Sequence, residues 1–487
     1  MKKGNLRQYN NRRGGITAAL FIAAASMFLS GCAADVPFAA DRQEETEIMP
    51  ETLGLTPDFT YEKAREGPGI QVDRLGYLPG SSKAAVFQGK DLPESFQVMA
   101  KDTGECVYEG RIRIKEEENG ISTGYGNFME VREEGSYYVQ CEKIGCSYYF
   151  DIKEDVYLEK AGQYGEIIQE MTNAGEPPET EDVCETVSSL LAAYEMYPEL
   201  LTQIWDLGNP TAGDGEPERN AEGFFRMLRG KTDLLLTVQD EKTGGIFEST
   251  EAPRVEENGQ TAEREISLEA TAAFAGTMAK YGYLYQEYDW DYANICLKAA
   301  AKAWRYLDKA ERREGSLNDS AETGRIYAAA ELYRASNERL YHNYILQNQE
   351  LIVSGREDLY LLMGKVTYLS TRRTVDHELC GQIMNGLMNK AGKTAADRKD
   401  GLFFLEEEGT DAVLWDMTGL ALTNYAIMNH EYTTVIENQL HYLFGRNEKG
   451  AFLLEEPDAA EAAKVLLLLS AVEAERKIVE ESAEPES

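Results

Sequence analysis

A helical period runs through the last two thirds of the chain. From Tyr157 onward, apolar residues recur every three or four positions, which is the spacing of one face of an α-helix. Glycine or proline interrupts most junctions, for example at Gly244-Gly245. About twelve such segments predict paired helices closed into an all-α (α/α)6 toroid over residues 157–477. They lie near residues 157–173, 182–204, 216–238, 264–286, 288–310, 320–336, 338–352, 358–370, 375–392, 410–429, 431–445 and 457–477.

A strand-like pattern precedes the helical one. Short runs of β-branched and aromatic residues, such as residues 84–87 (AAVF) and 135–139 (GSYYV), are separated by glycine, proline or charged turns. Several short strands at this spacing predict an antiparallel β-sandwich over residues 68–156. The chain is therefore predicted to be multidomain, with an all-β domain followed by an all-α domain.

The N-terminus reads as a targeting segment. A basic region is followed by an apolar stretch from Ile16 to Leu29, which is the length of a signal peptide. It ends in Leu29-Ser30-Gly31-Cys32, which resembles the bacterial lipobox, so residues 1–31 are predicted to be removed and Cys32 to be lipidated. A lipid on Cys32 would anchor an extracytoplasmic protein to a membrane. The alternatives are a plain secretory signal or a short membrane anchor.

Two further segments have little apolar character. Residues 32–67 are rich in Pro, Glu, Asp and Thr and predict a flexible linker. Residues 478–487 predict an acidic tail. Neither segment has the sustained apolar period of a packed domain.

Charge and metal-binding residues limit the possible partners. The chain has 49 Lys and Arg against 85 Asp and Glu, a net charge of −36. Nucleic acids and anionic membrane surfaces repel such a polyanion, so we expect a neutral or cationic substrate. Four histidines and no Cys-x-x-Cys pair argue against a zinc site, and no cofactor is expected. Cys141 and Cys146 flank a tight turn, where they could form a disulfide or remain reduced.

The β-rich segment resembles a known domain. Residues 71–79 (QVDRLGYLP), 82–86 (SKAAV) and 135–139 (GSYYV) are similar to the immunoglobulin-like domain that precedes the catalytic module in many glycoside hydrolase family 9 cellulases. Asp73-Arg74 stands where that family usually has Asn-Gln. The resemblance implies that residues 68–156 form an immunoglobulin-like sandwich.

The helical segment resembles the same family, whose catalytic module is a six-hairpin (α/α) barrel. The matches follow the family order and cover nearly all of the mature chain. They are residues 190–195 (LLAAYE), 213–217 (GDGEP), 244–247 (GGIF), 269–275 (EATAAFA), 328–333 (AAAELY) and 443–447 (LFGRN). The resemblance implies an inverting endo-β-glucanase-like fold that acts on or binds β-glucan or cellulose-type polysaccharide or oligosaccharide.

The resemblance also implies two catalytic carboxyl groups. An inverting glycosidase uses an acid to protonate the leaving oxygen and a base to activate water across the sugar. The family's base motif GGWYDAGD is absent, and the nearest carboxylates are Glu179 and Asp182, with Asp182 the candidate base. Glu456 falls on the family's catalytic glutamate and is the candidate acid. The alternative is that these acids only cap helix N-termini.

Both catalytic segments are shorter than those of the family, so the catalytic motifs are eroded. We therefore expect a weakly active or catalytically degenerate cell-surface lipoprotein. The alternative function is a non-catalytic carbohydrate-binding accessory protein or a scaffold lipoprotein. Trp205, Trp290, Trp304 and Trp415 are candidates to stack on sugars or, alternatively, to fill the core.

Overall fold

The computed structural model describes residues 69–118, 120–172, 177–206, 221–252, 264–400, 409–447 and 449–483. The predicted signal peptide, Cys32 and the whole predicted linker lie outside these residues, as does the end of the acidic tail beyond Ala483. Among the helices of the described ranges, none combines the length and apolar character needed to cross a membrane.

An immunoglobulin-like β-sandwich forms the first part, as predicted. Its strands are β1 (Ile70–Gln71), β2 (Ala84–Gly89), β3 (Ser95–Ala100), β4 (Cys106–Arg111), β5 (Arg113–Glu118), β6 (Ile121–Asn127), β7 (Gly135–Cys141), β8 (Gly145–Cys146) and β9 (Phe150–Ile152). One antiparallel sheet has the order β1-β2-β6-β5. The other has the order β4-β3-β7-β8, with β9 also paired to β7. Phe87, Phe96 and Phe128 fill the core between the sheets, where they are fully buried.

The β7–β8 hairpin settles the state of two cysteines. Cys141 is opposite Gly145 and Cys146 is opposite Gln140, so the two thiols point to opposite faces of the sheet because successive residues alternate. Both are free thiols. Burial raises the pKa of Cys141 to about 12 and that of Cys146 to about 11. Of the two alternatives, the reduced state is therefore the one observed.

Helices form the rest of the described chain. They are α1 (Leu158–Glu170), α2 (Thr180–Met196), α3 (Pro198–Asp206), α4 (Glu222–Thr237), α5 (Leu268–Tyr285), α6 (Trp290–Glu314), α7 (Asp319–Ser336), α8 (Arg339–Gln347), α9 (Gln349–Val353), α10 (Leu359–Ser370), α11 (His377–Asp400), α12 (Thr410–Ile427), α13 (Thr433–Leu443) and α14 (Ala459–Ala483). Two short strands, β10 (Ile246–Phe247) and β11 (Ile266–Ser267), pair ahead of α5.

Six of these helices close an inner ring, which confirms the predicted toroid. In order, α2, α5, α7, α10, α12 and α14 each pack on the next, and α14 packs back on α2. The inner helices run in the same direction, because contacts join the starts of neighbouring inner helices and other contacts join residues near their ends. At the start, Ser267 donates a hydrogen bond to Glu181 of α2. Ser267 is the last residue of β11 and directly precedes α5. Near the end, Lys280 of α5 pairs with Glu195 of α2.

Two helix boundaries differ from the sequence prediction. The segment predicted at 182–204 is two helices, because Pro198 has no backbone N–H to continue α2 and instead starts α3. Tyr197, the residue before it, has left the helical region with φ −144° and ψ 78°. The last helix continues to Ala483, so the predicted acidic tail is helical over residues 478–483. Glu475 is fully buried and accepts a hydrogen bond of 2.5 Å from Tyr197.

The sandwich meets the ring through a buried polar cluster, hereafter the junction, whose residues are Asp73, Ser82, Glu437, His441, Arg446 and Arg476. Asp73 Oδ2 lies 2.5 Å from His441 Nδ1, and both side chains are fully buried. The Glu437 carboxylate accepts a hydrogen bond of 2.9 Å from the Ser82 backbone N–H and pairs with Arg476. These contacts hold α13 and α14 against the sandwich.

Candidate active site at the acidic rim

Carboxylates gather where the inner helices begin. Five of the six inner helices have an acidic residue in the first turn. The helix dipole favours negative charge at that position, so ordinary helix stabilisation accounts for part of the pattern. We call this end of the ring the acidic rim and define it by Glu181, Asp182, Glu269, Asp411, Glu456, Asp458 and Glu461.

The candidate base Asp182 is an exposed residue in the first turn of α2. Partial burial raises the pKa of its carboxyl group, and the nearby charges of Glu185 and Asp458 raise it further. Glu179 is the N-cap residue of α2, but its side chain makes no capping hydrogen bond. The pKa of Glu179 is also raised, first by partial burial and then by Glu248 and Asp182. Both carboxyl groups therefore favour the protonated form more than a free side chain does.

The candidate acid Glu456 lies in the loop before α14. The sequence placed it at the acidic start of the last helix, but α14 begins at Ala459, and Glu456 is exposed ahead of it. The cap is supplied by Asp458, whose Oδ1 accepts a hydrogen bond of 2.8 Å from the Glu461 N–H. In return, Glu461 Oε2 accepts one of 3.0 Å from the Asp458 N–H. This is a capping box, so Asp458 and Glu461 cap the start of α14.

The two predicted catalytic segments reach the same edge of the ring. Helix α14 packs on α2, and Lys464 Nζ of α14 lies 2.5 Å from Glu185 Oε1 of α2. Asp458 is close enough to Asp182 to raise its pKa, and Glu456 is two residues from Asp458. The fold thus brings Asp182 and the Glu456 loop to the same end of the α2–α14 contact.

Sequence reasoning missed one carboxyl pair at this rim. The carboxyl group of Glu461 lies close enough to interact with that of Asp411, which is in the first turn of α12. Burial raises the pKa of Glu461, and Asp411 raises it further. The Asp458-x-x-Glu461 spacing is readable as a capping box, but contact with Asp411 requires the folded ring.

A second carboxyl pair lies between α2 and α5. Ser267 Oγ donates to Glu269 Oε2 at 3.0 Å and lies 3.4 Å from Glu181 Oε1. The pKa of Glu181 is raised, first by burial and then by the charge of Glu269. Within the ranges that the structure describes, neither Glu181 nor Glu269 forms an ion pair, so both carboxylates remain hydrogen-bond acceptors.

The opposite end of the ring is closed by paired charges. Lys280 and Arg334 bridge Glu195 and Glu331, and Thr367 donates to Glu331 Oε1 at 2.8 Å. A cavity of about 10 Å³ lies beside Glu195 and Lys280, which is room for one water molecule. Across the described ranges, no three His, Cys, Asp or Glu side chains are grouped so as to hold a metal ion.

The tryptophans do not form one group. Trp304 is buried in α6 under the guanidinium of Arg325, so the core interpretation is correct for it. Trp205 packs against Phe224, and Trp415 of α12 is half-buried. Trp290 is largely exposed at the start of α6.

Comparison with known proteins agrees with this architecture. The sequence profile "Glycosyl hydrolase family 9" matches residues 183–454, and the profile "Cellulase N-terminal ig-like domain" matches residues 65–145. The first match leaves out Glu179 and Asp182 at one end and Glu456 at the other.

Individual relatives cover most of the chain. Endoglucanase D of Acetivibrio thermocellus is 22% identical over 454 residues, spanning 78% of this chain and 71% of that protein. A thermostable endoglucanase of Alicyclobacillus acidocaldarius, solved as a single mutant, has a TM-score of 0.65 at 16% identity, over 83% of this chain and 99% of that one. The structure "Bacteroides ovatus GH9" has a TM-score of 0.64 at 16% identity, with the same coverage of both chains. The chain therefore belongs to glycosyl hydrolase family 9 and has a cellulase N-terminal Ig-like domain ahead of its helical ring.

Proposed function

We propose that this protein is a cell-surface lipoprotein that binds β-glucan or cellulose-type chains at the acidic rim, and that its hydrolytic activity is weak or lost. The lipid on Cys32 would anchor it outside the cytoplasm, as the lipobox-like tetrad predicts. The net charge of −36 favours a neutral glycan over an anionic polymer.

One observation carries the binding part of the proposal. Asp182 and the Glu456 loop, which come from segments more than 270 residues apart, meet at one edge of the ring. Carboxylates accept hydrogen bonds only, and a sugar chain supplies many hydroxyl donors. The carboxylate acceptors of the rim therefore suit a polyhydroxylated neutral ligand.

The exposure of Glu456 supports weak or lost turnover. A glycosidase acid that donates a proton near neutral pH needs a pKa raised by an apolar or enclosed site. Glu456 is exposed on its loop, and the segments on which the family's base and acid stand are shortened in this chain. The family match also ends before Glu456 and begins after Asp182.

Binding and turnover can be measured together on the purified mature protein, which begins at Cys32. We would titrate cellohexaose into the wild type, Asp182→Asn and Glu456→Gln, and measure release of reducing ends from the same samples. The proposal predicts binding by the wild type, weaker binding by Asp182→Asn, and reducing-end release close to background in all three.

Other outcomes separate the alternatives. Ready hydrolysis that is abolished by Glu456→Gln would establish an active inverting hydrolase and contradict the proposal of weak or lost turnover. Absence of both binding and hydrolysis in the wild type would favour the scaffold alternative.

A further inference from the structure

An exposed aromatic platform lies at the end of the ring opposite the acidic rim. The segment Glu287-Tyr288-Asp289-Trp290-Asp291 joins α5 to α6 and alternates acidic and aromatic residues. The side chains of Trp290 and Tyr288 are 62% and 42% exposed. Since α5 begins at the rim and has 18 residues, the platform is about 27 Å from the rim at 1.5 Å per residue.

We propose that this platform, defined by Tyr288, Asp289, Trp290 and Arg229, is a second glycan-binding site. The proposal rests on the proposed function, because it assumes that the protein meets β-glucan chains. It adds a site away from the rim that would hold a chain by stacking and hydrogen bonding, without any part in hydrolysis.

The Tyr288 side chain is held in place by contacts with neighbouring aromatic residues. The Tyr288 ring packs on Phe225 with ring centroids 4.8 Å apart. It stacks on Tyr285 at 5.8 Å with an interplanar angle of 16°. Its hydroxyl group lies 3.0 Å from that of Tyr194. A site that is ordered before the ligand arrives loses less conformational entropy on binding.

Asp289, which lies between Tyr288 and Trp290 in sequence, is fixed by two hydrogen bonds. Asp289 caps α6 by accepting a hydrogen bond of 3.0 Å from the Tyr292 N–H. The other carboxylate oxygen of Asp289 accepts a hydrogen bond of 3.2 Å from Arg229 Nη1. The Arg229 guanidinium lies 4.0 Å from the centre of the Tyr292 ring, and its side chain is 41% exposed. Arg229 and Asp289 thus present a donor and an acceptor in a fixed arrangement.

The alternation of aromatic and acidic residues matches the two kinds of surface on a pyranose chain. Sugar rings present apolar C–H faces, which suit aromatic rings, and hydroxyl groups at their edges, which suit carboxylates and guanidinium groups. The exposed acids Glu287 and Asp291 beside the rings would repel an anionic polymer. Charge complementarity therefore favours a neutral glycan. A protein partner would bury roughly 800 Å² of this chain, and its apolar core would have to cover these acids.

Affinity electrophoresis of the whole protein tests the platform, with soluble mixed-linkage β-glucan cast in a native gel. The variants are Trp290→Ala, Trp290→Phe, the rim double variant Asp182→Asn/Glu461→Gln, and Ile295→Ala. Ile295 lies on the same helix and is also exposed, which makes Ile295→Ala the matched control. We expect Trp290→Ala to weaken binding at least about tenfold. Trp290→Phe should keep part of the binding, and Ile295→Ala should behave as the wild type.

The remaining outcomes are distinct. If Trp290→Ala binds as tightly as the wild type while the rim double variant does not bind, the platform is excluded and the proposed function stands. If the rim double variant binds as the wild type while Trp290→Ala does not, the platform is supported and the rim is not the main binding site. If the wild type is not retarded, both proposals are overturned. Retardation that disappears with added salt would indicate a charge-driven contact and would contradict glycan stacking.

Discussion

The junction and the acidic rim contain the same kinds of charged residue in opposite arrangements. At the junction, Glu437 is buried and bonded to Arg476 and to a backbone N–H. At the rim, Asp182 and Glu456 are exposed, and the nearest groups that shift the pKa of Asp182 are other acids. Buried charges must be paired because water cannot solvate them. Removing one partner at the junction should therefore destabilise the fold, whereas the rim carboxylates form no ion pair within the described residues.

The strongest test of this contrast is one chemical change made in both regions. Glu437→Gln leaves the largely buried Arg476 without its counter-charge, and we expect a loss of about 3 kcal/mol in the free energy of unfolding. Glu456→Gln alters an exposed side chain, and we expect a change within about 0.5 kcal/mol. Urea unfolding of the two variants measures both values. Equal losses would mean that the two regions do not differ as described.

Asp73 sharpens the description of the junction. Burial raises the pKa of Asp73 well above its ordinary value, and it lowers the pKa of His441 well below its ordinary value. Both directions favour neutral groups, with the proton on Asp73. Asparagine is also neutral and can keep the 2.7 Å bond from the Leu75 N–H to Oδ1.

We therefore expect Asp73→Asn to cost about 1 kcal/mol and Asp73→Ala to cost about 2–3 kcal/mol, because alanine leaves buried polar groups unpaired. Thermal unfolding of both variants compares them. A loss of 3 kcal/mol or more for Asp73→Asn would indicate a charged carboxylate at this position.

The rim should respond to pH in a defined direction. The pKa of Glu461 in the folded protein is raised, so its contribution to stability is fully present below its ordinary pKa and is lost as pH rises through the raised value. At pH 7, Glu461→Gln removes the repulsion from Asp411 and keeps the capping box, since glutamine also serves there.

We expect Glu461→Gln to raise stability at pH 7 by a few tenths of a kcal/mol, a small gain because water screens a partly exposed group. Unfolding midpoints at pH 7 and below pH 4 measure the difference, which should vanish at the lower pH. Asp411→Asn removes the same repulsion from the other side of the pair, so it should give a similar gain in stability at pH 7 and none below pH 4. A gain that persists in acid would contradict the assignment to charge repulsion.

Sequence reasoning predicted the architecture because its signals are local. Period-two runs and 3.6-residue runs mark the sandwich and the helices, and Pro198 marks the break between α2 and α3. Contacts between residues that are far apart in sequence could not be predicted from these local patterns. Asp73 and His441 are 368 residues apart in sequence, and only the folded chain brings them together. Likewise, Asp411 meets Glu461 only because the ring closes.

The central claim is that the rim binds a neutral glycan. Calorimetric titration with cellohexaose tests it most directly when it is made in the Trp290→Ala background, so that the platform contributes little. We expect saturable binding to Trp290→Ala and to Trp290→Ala/Glu456→Gln. We also expect binding at least about tenfold weaker when Asp182→Asn and Glu461→Gln are added. Absence of binding to Trp290→Ala, or binding unchanged by the two rim substitutions, would contradict the claim.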